Sequence, residues 1–205
     1  KKHGTAILTD AGPYPIWDVL ILGGYTADET LIFRDFSPKI SLSWEPHENV
    51  TIYSTFSQGY RAGSFNIGAF SKDKYVFDAE SSDTLEAGVK TSLLDQRLRL
   101  NFGAFYTEYD GYQLGTFNGF TFTQSNANEV RTNGVEFDMT LLAAEGLILS
   151  MNVGYNDAKF VDYKDAPCRT EAPLEPGYQV QGIVALPPSP ECDLSGKELH
   201  RAPRL

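Results

Sequence analysis

Apolar and polar residues alternate strictly along residues 83–107, on both sides of a tight turn at residues 94–97. The apolar positions are Leu85, Ala87, Val89, Thr91 and Leu93 before the turn, and Leu98, Leu100, Phe102, Ala104 and Tyr106 after it. A period of two predicts β-strands. Pairing Leu93 with Leu98 places every apolar side chain on the same side, so this register predicts a β-hairpin with one apolar and one polar face.

The same pattern occurs twice more. Alternating residues in 40–44 and 50–56 flank a predicted turn near 46–49, and those in 135–141 and 147–155 flank one near 142–146. The connections at the other end are longer, and we predict loops over most of 1–28 and near 66–78, 114–128 and from 160 onward. Each arm has about ten residues, which a tilted strand needs to cross a bilayer. The fold class predicted is all-β: a fragment of an antiparallel transmembrane β-barrel with short periplasmic turns and long extracellular loops.

On this hypothesis the apolar face contacts outer-membrane lipid. The residues predicted to face lipid are Leu85, Val89, Leu100, Phe102, Phe137 and Met151. The carboxylates of Glu86, Glu136 and Asp138 fall on the opposite, lumenal face. Charges on the lipid side would cost about 2–4 kcal/mol each at mid-depth, so their confinement to one face supports a barrel. A soluble β-sandwich that buries the same apolar face in a protein core remains an alternative.

Composition narrows the function classes. The chain is 41% hydrophobic, with a mean hydropathy of −0.28 and no apolar run near the length of a membrane helix. Its net charge of −10 argues against a nucleic-acid partner, because there is no basic stripe to neutralise phosphates. The histidines are scattered and no catalytic motif occurs, so we expect no enzyme activity, no cofactor and no metal site. Acidic residues in the loops are read as a solvated rim.

Several segments together resemble the barrel of TonB-dependent outer-membrane receptors, over about residues 36–160. They are residues 35–46, 50–66, 80–90, 101–113, 126–129 and 132–136, including Glu86-Ala87-Gly88-Val89-Lys90 and Thr132-Asn133-Gly134-Val135-Glu136. The resemblance implies a barrel of about 22 strands with an N-terminal plug domain. It identifies residues 1–205 as a partial barrel domain from the C-terminal part of the barrel, with 161–205 mostly extracellular loop and the plug outside this sequence.

The resemblance also implies a function. Such a receptor resides in the bacterial outer membrane and takes up a scarce small molecule, with an iron-siderophore complex as the family's default ligand. Transport is energised through the TonB complex, which contacts a plug segment. A passive porin or adhesin barrel, or the soluble binding module, is the alternative function.

In such a receptor the ligand meets the long loops and the upper lumen. The ligand-binding candidates are Tyr60, Arg61, Tyr75, Tyr112, Phe117 and Phe120. Arg61 could pair with an anionic ligand through its planar guanidinium, or with a neighbouring lumenal carboxylate, and both possibilities stay open.

The two cysteines, Cys168 and Cys192, lie in the long C-terminal connection. In an extracellular loop an even pair is expected to form a disulfide, although two free thiols remain possible. Closing a loop of about 25 residues would contribute roughly 3 kcal/mol in the chain-entropy model.

Overall fold

The computed structural model describes residues 2–7, 26–66, 74–117, 122–167, 191–199 and 202. Twelve strands occur in these ranges. They are β1 (Lys2–Ile7), β2 (Thr26–Leu31), β3 (Lys39–His47), β4 (Val50–Arg61), β5 (Ser64–Phe65), β6 (Val76–Phe77), β7 (Glu80–Leu93), β8 (Leu98–Phe117), β9 (Phe122–Ala144), β10 (Leu147–Asp162), β11 (Ala166–Pro167) and β12 (Glu191–Cys192). No helix of the described part is long and apolar enough to cross a membrane.

Six strands form one antiparallel sheet in the order β10-β9-β8-β7-β4-β3. Each long strand therefore pairs with the next long strand along the chain, as in a meander. Strands β3 and β10 are the two edges of this sheet, so it does not close on itself within the described residues. The pairs β1-β2, β5-β6 and β11-β12 form three small separate sheets.

The central hairpin has the predicted register. Leu93 pairs with Leu98, Val89 with Phe102, and Leu85 with Tyr106. The alternating apolar positions of this hairpin consequently lie on one face of the sheet, with Phe105 on the other, and the prediction of an all-β antiparallel fold is confirmed.

The turn between β7 and β8 is left-handed. Leu94, Asp95 and Gln96 have φ angles of 54°, 52° and 65°, a region that residues with a side chain rarely adopt. Arg97 completes the turn, with its backbone N–H bonded to the Leu94 carbonyl at 3.1 Å. Its guanidinium also donates to the carbonyl of Leu142 at 3.1 Å, which ties this turn to the neighbouring short turn between β9 and β10.

At the end of the sheet opposite the short turns, the structure contains more strand than predicted. The predicted loop at 114–128 is wrong, because β8 continues to Phe117 and β9 already begins at Phe122. The predicted loops at 1–28 and 66–78 also contain strands, β1 with the start of β2, and β6 paired with β5. Alternation is a poor guide near 66–78 and 114–128, since polar groups there bond to packed segments of the chain.

Two parts of the sheet differ in their surroundings. We call the belt the part that runs from the short turns up to the row of Phe56, Leu85 and Tyr106. We call the projection the extension of β8 and β9 beyond Thr107 and Thr132. Buried hydrophobic residues are found at the projection and the segments against it, namely Tyr75, Ala127, Val130, Ala158, Phe160, Tyr163 and Ala166. The belt has large apolar side chains that remain exposed, such as Phe102 at 46%.

Candidate ligand-facing site

The polar face of the belt, opposite the apolar face of Val89 and Phe102, is called the inner face, and the apolar face is called the outer face. Aromatic rings on the inner face lie over glycines. Tyr53 donates to a carboxylate oxygen of Glu86 at 2.8 Å. A Cβ added at Gly88 would lie 2.7 Å from the Tyr53 ring, and one added at Gly134 would lie 2.7 Å from the Phe105 ring. A side chain at either position would clash with the ring that lies over it, so both positions require glycine.

A concavity of about 510 Å³ lies on this inner face. Its lining includes three carboxylates, those of Glu86, Glu136 and Asp138, and one cation, Lys90. The Lys90 ammonium lies 5.2 Å from the centre of the Tyr53 ring. The inner wall at this level consequently has a net negative charge.

Charged residues begin on the outer face directly above the belt. Arg131 bonds to Glu108 at 3.0 Å and to Glu129 at 3.2 Å, and its guanidinium carbon lies 5.7 Å from the centre of the Tyr106 ring. Register places Tyr106 on the apolar face, at the upper limit of the belt. An amphipathic ring at this level is typical of a membrane interface.

The projection has a hydrophobic core of its own. Val130 and Phe160 pair across β9 and β10 and are fully buried, and the ring of Tyr163 packs at 5.2 Å from that of Phe160. Leu194 and Leu199 pack against this core from the segment that follows β12. Burial raises the pKa of the Tyr163 hydroxyl.

This last segment also bonds to the free edge of β10. The N–H of Phe160 bonds to the carbonyl of Lys197 at 2.9 Å, and the N–H of Leu199 to that of Ala158 at 2.8 Å. A short turn precedes this pairing, in which the Asp193 carboxylate accepts from the N–H of Ser195 at 2.8 Å. Hydrogen bonds from Ser195 lower the pKa of Asp193.

Three side-chain amides attach the connection between β4 and β7 to the projection. Asn126 pairs with both backbone groups of Asp78: its amide oxygen accepts from the N–H at 2.9 Å, and its nitrogen donates to the carbonyl at 3.1 Å. Asn66 makes the same kind of pair with Gln124, at 2.8 Å in both directions. Gln113 donates to the Asp78 carbonyl at 2.9 Å.

The predicted ligand-binding residues fall in different places. Register puts Tyr60 on the apolar face of β4 and Arg61 on the inner face, opposite Glu80. Within the described part no ion pair joins the exposed Arg61 guanidinium to a carboxylate. Tyr75 is 2% exposed and stacks with Phe65 at 5.1 Å, so a ligand outside the connection reaches its ring only if the connection opens.

The remaining candidates lie on or near the projection. Tyr112 is half-buried and contacts Tyr109 edge-on, with the ring centres 5.4 Å apart. The backbone of Phe117 pairs with Phe122 at the end of the hairpin, and Phe120 lies outside the described residues. Ligand contact by all six candidates stays a prediction.

Of the two cysteines predicted to form a disulfide, the structure describes only Cys192. Cys192 is disulfide-bonded, and β12 pairs it with Ala166 of β11. Cys168 lies outside the described residues, so the pairing of Cys168 with Cys192 stays a prediction. Among the described residues, no three His, Cys, Asp or Glu side chains are grouped to hold a metal ion.

Sequence reasoning missed Asn66, Gln113 and Asn126. Asn66 and Asn126 lie in stretches read as loops, and Gln113 lies at the end of a predicted strand. Amide residues are common in such places, and no periodicity distinguishes a buried amide from a solvated one. Gly111 is the one residue in the sequence that points to a change in the alternation of faces in this region. It has a φ of +64°, and between Tyr109 and Tyr112 it lets rings at odd and even positions meet.

Comparison with known proteins assigns the chain to a family. The sequence model of the family described as TonB dependent receptor-like, beta-barrel, matches residues 15–204. Two solved structures with the same fold are the ferric yersiniabactin uptake receptor FyuA from Yersinia pestis and the siderophore receptor PiuA from Acinetobacter baumannii. The first is 23% identical with a TM-score of 0.52, covering 67% of this chain and 20% of the receptor. The second is 21% identical with a TM-score of 0.51, covering 72% of this chain and 21% of the receptor.

The chain thus spans about a fifth of the length of either receptor. The family match covers nearly all of it, including every strand of the six-stranded sheet. The short turns accordingly face the periplasm and the projection faces the outside of the cell. The chain belongs to the TonB-dependent receptor family, and its sheet is part of the β-barrel of such a receptor in the bacterial outer membrane.

Proposed function

We propose that this chain is part of a receptor that imports a scarce nutrient across the outer membrane, with a ferric siderophore as the substrate class. The observation that carries the proposal is the family match over residues 15–204. Uptake would be energised through TonB, by way of a plug domain of the whole protein. Residues 1–205 would be a barrel portion, with 161–205 mostly on the extracellular side.

The geometry supports this proposal in two ways. The inner wall of the belt is polar and charged, with the carboxylates of Glu86, Glu136 and Asp138 around one concavity. Above it stands a projection with its own buried core, which gives the extracellular side a rigid surface. A receptor needs both features, because a ligand must first be bound outside and then pass a polar lumen.

Arg61 is the residue that we propose meets an anionic ligand. It lies at the extracellular end of β4 on the inner face, and its guanidinium is exposed. A guanidinium binds planar oxygen anions through two parallel hydrogen bonds, which are stronger than neutral ones. Ferric catecholate complexes carry such oxygens and a net negative charge.

Radioactive iron uptake by cells producing the complete receptor tests the proposed function. The probes are ferric yersiniabactin and a ferric tris-catecholate, each with and without TonB in the host strain. We expect saturable uptake of at least one probe that disappears without TonB. Accumulation that is independent of TonB would instead indicate a passive barrel, and uptake of neither probe would reject the siderophore assignment for both chemical classes.

A matched pair of arginine variants tests the binding role. Arg61→Ala is expected to weaken binding of the anionic catecholate probe about tenfold, since a charge-assisted contact is lost. Arg99→Ala is the control, because Arg99 also lies on the inner face but next to the periplasmic turn. Equal binding by both variants would contradict the role of Arg61.

A further inference from the structure

The connection between β4 and β7 is bonded to the projection in both directions. Asn126 belongs to the projection and pairs with Asp78 of the connection, whereas Asn66 belongs to the connection and pairs with Gln124 of the projection. Each amide satisfies the N–H and the C=O of one backbone residue, as a neighbouring strand would. We call Asn66, Gln113 and Asn126 the amide clasp.

Two members of the clasp, Asn66 and Gln113, are buried, Asn126 is partly exposed, and the amide donors of Asn66 and Asn126 are both used. Asn66 is 6% exposed and Gln113 is 5% exposed. The second hydrogen of the Asn66 amide binds the carbonyl of Lys74 at 2.9 Å, and that of Asn126 binds the carbonyl of Gly111 at 2.6 Å. Breaking a buried hydrogen bond without a replacement costs the desolvation of both groups. Opening the connection would break several of these bonds together.

Two glycines permit the close approach that the clasp needs. A Cβ on Gly63 would lie 2.3 Å from the carbonyl oxygen of Phe77, on the other strand of the small β5-β6 sheet. A Cβ on Gly111 would lie 2.6 Å from the carbonyl oxygen of Ala79. Backbone is thus packed directly on backbone, both within the connection and between the connection and the projection.

The clasp also reaches the base of Arg61. The side-chain amide of Gln113 lies 3.4 Å from the carbonyl oxygen of Arg61 and 3.3 Å from that of Ala62. The backbone N–H of Gln113 donates to Glu80, which stands opposite Arg61 in the sheet, at 2.6 Å. Gln113 thus contacts the backbone at the end of β4, while the Arg61 side chain is exposed.

We propose that the amide clasp fixes the described part of this connection, residues 62–66 and 74–79, as a permanent wall of the ligand entrance and positions Arg61 for an anionic ligand. Asn66, Gln113 and Asn126 are then positioning residues that do not touch the ligand. The inference rests on the proposed function for its ligand, but not for the state of the wall. A preorganised site has less conformational freedom to lose on binding, so the clasp raises affinity without adding a contact.

Hydrogen exchange of the complete receptor, without ligand, tests the wall. In the unmodified protein, the backbone N–H of Asn66 donates to the Tyr75 carbonyl at 2.7 Å. It should exchange as slowly as the backbone N–H groups of the belt. Fast exchange there in the unmodified protein would overturn the proposal at once, without any variant.

A pair of asparagine variants on one strand sharpens the test. Asn126→Ala should speed exchange at residues 62–66 and 74–79 by about tenfold or more, because the N–H of Asp78 loses its acceptor and the carbonyl of Asp78 loses one of its two donors. Asn128→Ala is the control, since Asn128 is exposed and, within the described ranges, its side chain bonds only to the Asp162 carboxylate, at 3.1 Å. Equal effects of the two variants would show that no clasp exists. Should Asn126→Ala reduce the folded yield, Asn126→Asp keeps the size of the side chain and replaces its donor with a charged oxygen that faces the carbonyls of Asp78 and Gly111, so it should speed exchange in the same segments.

A double-mutant cycle with the ferric tris-catecholate separates positioning from simple damage. Asn126→Ala should weaken binding about tenfold with an unchanged number of sites, and it should have little further effect once Arg61 is alanine. Full additivity of the two substitutions would overturn the positioning role. If the unmodified receptor binds no anionic probe, the role assigned to Arg61 fails with the proposed function, while the exchange measurement still decides the wall.

Discussion

The belt and the projection belong to the same strands but are stabilised by different surroundings. In the belt, Phe102 and Met151 are exposed on one face and polar groups on the other, so neither face is covered by the chain itself. In the projection, Val130 and Phe160 are fully buried under segments of this same chain. A membrane barrel therefore relies on lipid and lumen over one part of its strands, and builds a small soluble core over the other.

The largest effect should come from reversing the polarity of the belt. Phe102→Arg places a charge on the predicted lipid-facing side, at a cost of about 2–4 kcal/mol near mid-depth. We expect most of the protein to fail to insert, as measured by the fraction that keeps the compact, heat-modifiable form on electrophoresis.

The neighbouring residue supplies the control. Gly103→Arg points to the inner face, where an added Cβ would lie 3.5 Å from the Tyr53 hydroxyl, an ordinary contact. We expect much of this variant to insert. Equal loss of insertion by the two variants would remove the distinction between a lipid face and a lumenal face.

A smaller effect should come from filling the space at one glycine of the inner face. A Cβ on Gly134 would lie 2.2 Å from the Tyr155 carbonyl oxygen and 2.7 Å from the Phe105 ring, so Gly134→Ala should destabilise the barrel by about 1–3 kcal/mol. Gly154→Ala, with open space around its Cβ, should change stability little. The urea midpoint in lipid vesicles measures both, and similar midpoints would show that the rings do not constrain the wall.

The smallest effect concerns pH and the segment after β12 that packs against the projection. The pKa of Asp193 is lowered in the folded state by hydrogen bonds from Ser195. Its ionised form therefore stabilises the turn above the unfolded pKa of about 3.9, and this contribution is lost as the pH falls through the lower folded value. Exchange at Ser195 should rise in this range in the unmodified protein. The response should be absent in Asp193→Asn.

The belt could be predicted from sequence almost residue by residue. Alternation fixes which face a side chain occupies, and the pairing of Leu93 with Leu98 follows from keeping all apolar residues on one side. One environment, predicted to be lipid, meets every second residue, so the pattern is local and regular.

The projection could not be predicted in the same way. Its order depends on contacts between residues far apart in sequence, such as Asn66 with Gln124, and on the conformation of Gly111, where the alternation of faces changes. A polar stretch satisfied by buried amides has the same composition as a polar stretch in water. The loop predicted at 114–128 is therefore a pair of strands, and the candidate ligand residues could only be assigned to a region.

The left-handed turn at residues 94–97 bears on the order in which the hairpin forms. Three successive residues without the freedom of glycine occupy a costly backbone region, at about 1 kcal/mol or more each. An isolated turn of this kind gains too little to form first. We expect the arms of β7 and β8 to pair before the turn settles, so that the hairpin closes from the sheet towards its periplasmic end and the nucleus of assembly lies among the strands.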